Sequence, residues 1–137
     1  MPRLFLDTNP IIRYLTGDDP DQAARSYRLF ERAARGEVDL VTWEAVLVEV
    51  VQVLSSKALY NLPRDEVRRH LSNVLALDGL TVPHKRTFLQ ALDLWVHHNV
   101  DVVDALCAAH MERLKITGIA SFDTHFDRLP QITRVEP

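Results

Sequence analysis

Pro2-Arg3-Leu4-Phe5-Leu6-Asp7-Thr8-Asn9-Pro10 decides how the rest of the chain is read. Leu4-Phe5-Leu6 is a short apolar run that reads as a buried strand, and Asp7 closes it. Asn9-Pro10 then offers an N-cap followed by proline at the first helical position, so a helix should run through Ile11, Ile12, Tyr14 and Leu15. Strand, acidic turn and helix in quick succession open an α/β domain. Asp7 stands at the carboxyl end of the strand, where open parallel sheets bind their ligands.

The remaining sequence repeats this alternation. Thr16-Gly17-Asp18 breaks the first helix, and Asp19-Pro20-Asp21-Gln22 starts the next with an N-cap, an N1 proline and a capping-box glutamine. Ala23, Tyr27, Phe30 and Ala34 mark its inner face, and Gly36 ends it. Residues 38–42 read as a second strand. Trp43 to about Lys57 is apolar nearly all round; its valines favour a strand, but its length favours a helix buried on more than one side. Pro63 to Leu77 is amphipathic, with Val67, Leu71, Val74 and Leu75 inward and Arg64, Arg68 and Arg69 on a solvated face. A brief strand at 80–82 precedes helices from about Lys85 to His97 and from about Asp101 to Leu114. Residues 116–120 form a further strand and 132–135 a last edge strand. This order implies one domain, residues 1–137, built as a three-layer α/β/α sandwich around a mostly parallel central sheet.

Composition narrows the function classes. The formal net charge of −3, from 16 Lys plus Arg against 19 Asp plus Glu, leaves any nucleic-acid groove to local basic residues. A single cysteine, Cys107, excludes an internal disulfide framework and fits a reducing cytoplasm. No secretory signal pattern or membrane-length apolar run is expected. No Ser-His or Cys-His pair points to covalent catalysis. Without a His-Glu-x-x-His pattern, His97, His98 and His125 give little reason to expect zinc, and for His125 a surface loop histidine is the better reading against a place near the site. Cys107, among apolar helix residues, reads as packing.

Chemistry falls on four acidic residues, Asp7, Glu49, Asp104 and Asp123. Two carboxylates 4 Å apart repel by about 4 kcal/mol at an effective dielectric near 20. A pocket gathering all of them therefore needs a hard divalent cation, Mg2+ or Mn2+. Asp7 competes with an ordinary turn role, but Asn9 is the better cap. Glu49 lies among Val46, Leu47, Val48, Val50, Val51 and Val53, where a lone glutamate is costly unless paired or metal-bound. The plainer alternative is a helix edge reaching solvent, with Gln52 marking a narrow wet face. Asp101 and Asp104 suit ordinary helix-start chemistry. The small-residue face of Ala105, Ala108 and Ala109 places Asp104 at a crevice and leaves Asp101 in support or as an alternative ligand. Asp123 follows the strand 116–120 as Asp7 follows the first.

Leu4-Phe5-Leu6-Asp7-Thr8-Asn9, residues 46–54 around Glu49, Asp101-Val102-Val103-Asp104-Ala105-Leu106 and Ser121-Phe122-Asp123-Thr124-His125-Phe126 together resemble a PIN-domain ribonuclease, and within that group a VapC-type toxin of a toxin–antitoxin pair. The resemblance covers essentially the whole chain. It implies an endoribonuclease acting on a structured RNA, with Mg2+ or Mn2+ held by Asp7, Glu49, Asp104 and Asp123. It further implies a homodimer and a cognate VapB-like antitoxin whose tail lies over the active-site groove. Ser121 stands where threonine is commoner and keeps the hydroxyl.

Under this reading Asp7, Asp104 and Asp123 supply most metal contacts and Glu49 helps place a water. Thr8, Asn9 and Ser121 hold the carboxylates or a phosphate oxygen. Arg13 is a candidate substrate or partner contact, balanced against a solvent-facing arginine. Rival classes are a phospho-acceptor receiver domain, a haloacid-dehalogenase-type phosphatase and a catalytically silent PIN-like RNA-binding protein. The first two want a second acidic residue near Asp7, which is absent from Asp7-Thr8-Asn9.

Overall fold

A computed structural model describes residues 2–137, which form two compact units, the first ending at Pro83 and the second running from His84 to Pro137. The first unit contains β1 (Arg3–Phe5), α1 (Thr8–Thr16), α2 (Pro20–Ala34), β2 (Asp39–Val41), α3 (Glu44–Ser55), α4 (Arg64–Leu75) and β3 (Leu80–Thr81). Two helices separate each pair of successive strands, enough chain to return to the same end of the sheet. The strands accordingly pair in parallel in the order β1-β2-β3, with Leu4 opposite Leu40 and Leu40 opposite Leu80. This is the expected α/β class.

The core of the first unit comes from the inward faces of its helices and the middle strand. Ile11, Ile12, Leu40, Leu47, Val50, Val51, Leu54, Val67 and Leu71 are all buried. Gly79 permits a close approach: its φ is +83°, and a Cβ there would lie 2.3 Å from the Ala33 carbonyl oxygen of α2. Its own carbonyl accepts the Leu40 N–H, so this glycine seats β3 beside β2.

The second unit contains α5 (Lys85–His97), α6 (Val102–Leu114), β4 (Gly118–Ala120), a 3-10 turn at Thr124–Arg128 and β5 (Thr133–Val135). Strands β4 and β5 are parallel, and α5 packs along α6. The small Ala105, Ala108 and Ala109 are buried on α6, while Phe88, Leu92 and Trp95 are buried on α5.

Several local expectations are corrected. Of Leu4-Phe5-Leu6 only Leu6 is buried; Leu4 and Phe5, on the strand that ends the order β1-β2-β3, are exposed. α1 begins at Thr8, so Asp7 rather than Asn9 is its N-cap residue. Pro10 then falls at the third helical position, where its missing N–H still costs no intrahelical bond. On α2 the inner face passes through Ser26, Phe30 and Ala33, leaving Tyr27 exposed and stacked near Tyr14. The strand expected at 116–120 is formed by 118–120.

Candidate metal centre

The second unit builds an acidic site from two helix starts. Asp101 is the N-cap of α6, and its carboxylate accepts the Asp104 N–H at 2.8 Å. That bond serves the helix terminus, the ordinary role weighed against metal ligation for Asp101. It also fixes the first turn that carries Asp104. One oxygen of Asp104, Oδ2, is shut off from solvent and has no hydrogen-bond partner among the described residues. An acceptor left this way costs about 1–3 kcal/mol. Burial first, and then the negative charges of Asp101 and Asp123, push the Asp104 carboxyl above the usual carboxylate range; His125 partly offsets them.

Asp123 reaches the same place from β4. The Ser121 hydroxyl accepts the Asp123 N–H at 2.9 Å, and Asp123 Oδ1 accepts the His125 N–H at 2.9 Å as it caps the 3-10 turn. Arg134 on β5 ties this turn down, donating to the Ser121 carbonyl and pairing with Asp127 and Glu136. Ser121 thus positions the backbone of Asp123.

Asp104, Asp123 and His125 each offer one ligand atom, and these atoms all lie within 4.8 Å of one another. Across an ion with bonds of about 2.2 Å, opposite ligands stand about 4.4 Å apart and adjacent ones about 3.1 Å. The set is therefore within small adjustments of one coordination shell. The buried acceptor on Asp104 and the mixed oxygen and nitrogen donors fit a divalent cation.

For His125 the sequence sets a place near the site against a surface loop histidine and favours the surface. It is indeed exposed, yet its Nδ1 lies 3.3 Å from Asp123 Oδ1. The available signal was its place two residues after an Asx-type cap, which folds the carboxylate back over residue 125. Cys107 is also corrected: it is exposed rather than packed away. Although the residue is exposed as a whole, the groups crowding its sulfur, followed by Asp104 and Asp101, raise its thiol, which places it beside the acidic group.

The first unit carries the other candidates. The Leu6 N–H donates to the Val41 carbonyl, and the buried Thr42 hydroxyl donates to the Leu6 carbonyl at 2.8 Å. Asp7 is thereby held at the end of β1. It occupies the N-cap place of α1 without a side-chain capping bond, so its exposed carboxylate is not engaged by the helix. Thr8 is buried with its hydroxyl oxygen unpartnered among the described residues, whereas Asn9 is exposed.

Glu49 is exposed, which overturns the argument from burial. Ala45, Glu49 and Gln52 form one wet stripe of α3, opposite buried Leu47, Val50, Val51 and Leu54, so the plainer helix-edge alternative describes its setting. Arg13 donates to Gln22 at 2.9 Å and to Asp18 at 3.0 Å. Its guanidinium is engaged in the α1–α2 corner.

The model of the PIN domain family matches residues 4–132. Among solved structures, the chain is similar to the Mycobacterium tuberculosis toxin VapC20, described as cleaving the sarcin-ricin loop. That similarity has 20% identity over 97% of this chain and 98% of the other, with a TM-score of 0.39. No curated protein matches the chain.

Proposed function

The chain belongs to the PIN domain family, and on that premise we propose that it is a divalent-metal-dependent endoribonuclease, the toxin of a toxin–antitoxin pair. The observation that carries the proposal is the grouping of ligand atoms from Asp104, Asp123 and His125 within 4.8 Å, at a carboxylate one of whose oxygens is buried and unpartnered among the described residues. A group so placed gains from a cation and loses without one. The acidic set of the reading is Asp7, Glu49, Asp104 and Asp123, acting with Mg2+ or Mn2+.

When bound, such an ion acidifies an attacking water, orients the phosphate and offsets charge on the leaving oxygen. The chain's own side chains divide the remaining work. The N–H groups of Asp104 and Asp123 donate to the Asp101 carboxylate and the Ser121 hydroxyl, which holds the backbone that carries both carboxylates as phosphate arrives. Asp7, exposed and without a capping bond, retains its lone pairs for a ligand. Glu49, on a wet helix face, is suited to orient a water. Thr8 and Asn9 follow Asp7 directly and serve as supporting groups.

The single-domain reading gains support from a family match that spans residues 4–132. A structured RNA as substrate, a homodimer and a VapB-like antitoxin enter from the sequence resemblance and complete the proposal. A cytoplasmic setting follows from the toxin reading and the lone Cys107. No described helix is long and apolar enough to cross a membrane.

RNA digestion with and without EDTA tests the reading. Purified protein should cut RNA with Mg2+ or Mn2+, stop in EDTA and resume when the ion is restored. Asp104→Asn should fold and lose cleavage by at least about a hundredfold, the order expected for a group acting on developing charge. Cleavage that persists in EDTA would remove the metal from the mechanism. A folded wild-type protein that cuts no RNA would favour the catalytically silent alternative.

A further inference from the structure

We propose that His125 is a nitrogen ligand of the metal centre and biases it toward Mn2+ over Mg2+. This rests on the metal-site reading above and goes beyond its all-carboxylate ligand set. Three observations place the imidazole there. Its Nδ1 stands 3.3 Å from Asp123 Oδ1, close to the separation of about 3.1 Å between adjacent ligands on one ion. A ring nitrogen, an Asp123 oxygen and an Asp104 oxygen share a sphere with no pair beyond 4.8 Å. The Asp104 oxygen Oδ2 is buried with no donor among the described residues, so it is an acceptor awaiting a ligand.

The backbone makes this a built arrangement. Asp123 Oδ1 accepts the His125 N–H, which closes the turn and brings the ring back over the carboxylate. Ser121 and Arg134 hold that turn from the strand side. With half of its side chain open to solvent, at 52% exposure, the ring can make small movements at little cost.

Imidazole nitrogen changes which ion is preferred. Mg2+ demands near-ideal octahedral oxygen coordination and keeps its waters, whereas transition ions accept imidazole readily. A centre that includes His125 should therefore favour Mn2+ by more than carboxylates alone provide. The alternative role for the ring is a charged partner of Asp123, which would touch no metal.

Electron spin-echo envelope modulation on Mn2+ added to the full-length protein separates these cases. The expected result is nitrogen-14 modulation from one coordinated imidazole, lost in His125→Ala while Mn2+ remains bound. Calorimetry should show the same variant losing about tenfold or more in Mn2+ affinity and much less in Mg2+ affinity. Circular dichroism checks that His125→Ala, an exposed substitution, retains the fold. Bound Mn2+ without nitrogen modulation, or modulation unchanged in His125→Ala, would overturn the proposal and leave the metal centre standing. Failure of the wild-type protein to bind Mn2+ would overturn both.

Discussion

Cys107 is a chemical reporter for the Asp104 carboxylate one turn before it. Its thiol is held above the ordinary range by burial and then by Asp104 and Asp101, so little thiolate is present near neutrality. Asp104→Asn removes one of those charges. Iodoacetamide alkylation of the metal-free variant should run about threefold faster than that of metal-free wild type at the same pH. An unchanged rate would mean that Asp104 exerts no field at Cys107. The contrast between Asp104 and Glu49 also shows what single residues disclose in a sequence. Asp104 followed by small alanines correctly suggested a confined carboxylate. Glu49 amid valines suggested the same and was wrong, because half-buried Val46, Val48 and Val53 flank the wet stripe instead of closing it. Apolar neighbours in sequence do not fix the direction of one side chain when the helix carries apolar residues beyond its buried face.

The corner between α1 and α2 illustrates how elements are pinned by side chains that sequence patterns do not pair. Gly17 closes α1 with φ +66° and an N–H to the Arg13 carbonyl, as its sequence suggested. Asp18, beside it, accepts from Tyr60, Thr16 and Arg13, and Tyr60 belongs to the segment between α3 and α4. Those bonds, led by the Tyr60 hydroxyl, bring the Asp18 carboxyl down to about 2 from its ordinary 3.8. A depressed carboxyl binds fewer protons in the folded state than in the unfolded one. Its stabilisation is therefore present above the ordinary value and is lost as pH falls from 3.8 through about 2. Tyr60→Phe should move the Asp18 titration upward in carbon-detected NMR and begin acid unfolding at higher pH. An Asp18 titration unchanged in that variant would show that the hydroxyl does not control it. Helix starts with a proline or a capping aspartate were legible at α2 and α6, because the cap is chemically explicit. The start of α1 was displaced because Asp7 and Asn9 are both acceptable caps and Pro10 is tolerated throughout the first turn.

Across the chain, alternating apolar and helical periods were enough to read the α/β class and the order of every strand and helix, since each period follows from backbone geometry. The 3-10 turn at 124–128 went unseen, as a turn that short leaves no periodic trace. It is also the turn that aims His125 at Asp123. The sequence marks Asp7 and Asp123 as candidates because acidic residues after strands are chemically conspicuous, whereas their partners depend on loop geometry. Binding of Mn2+ to Asp7→Asn, Glu49→Gln, Asp104→Asn and Asp123→Asn, followed by electron paramagnetic resonance, tests the proposed acidic set as a unit. The account predicts one class of tight site in wild type and a loss of about tenfold or more in affinity for each variant. Wild-type affinity in the Asp104→Asn and Asp123→Asn proteins would contradict it.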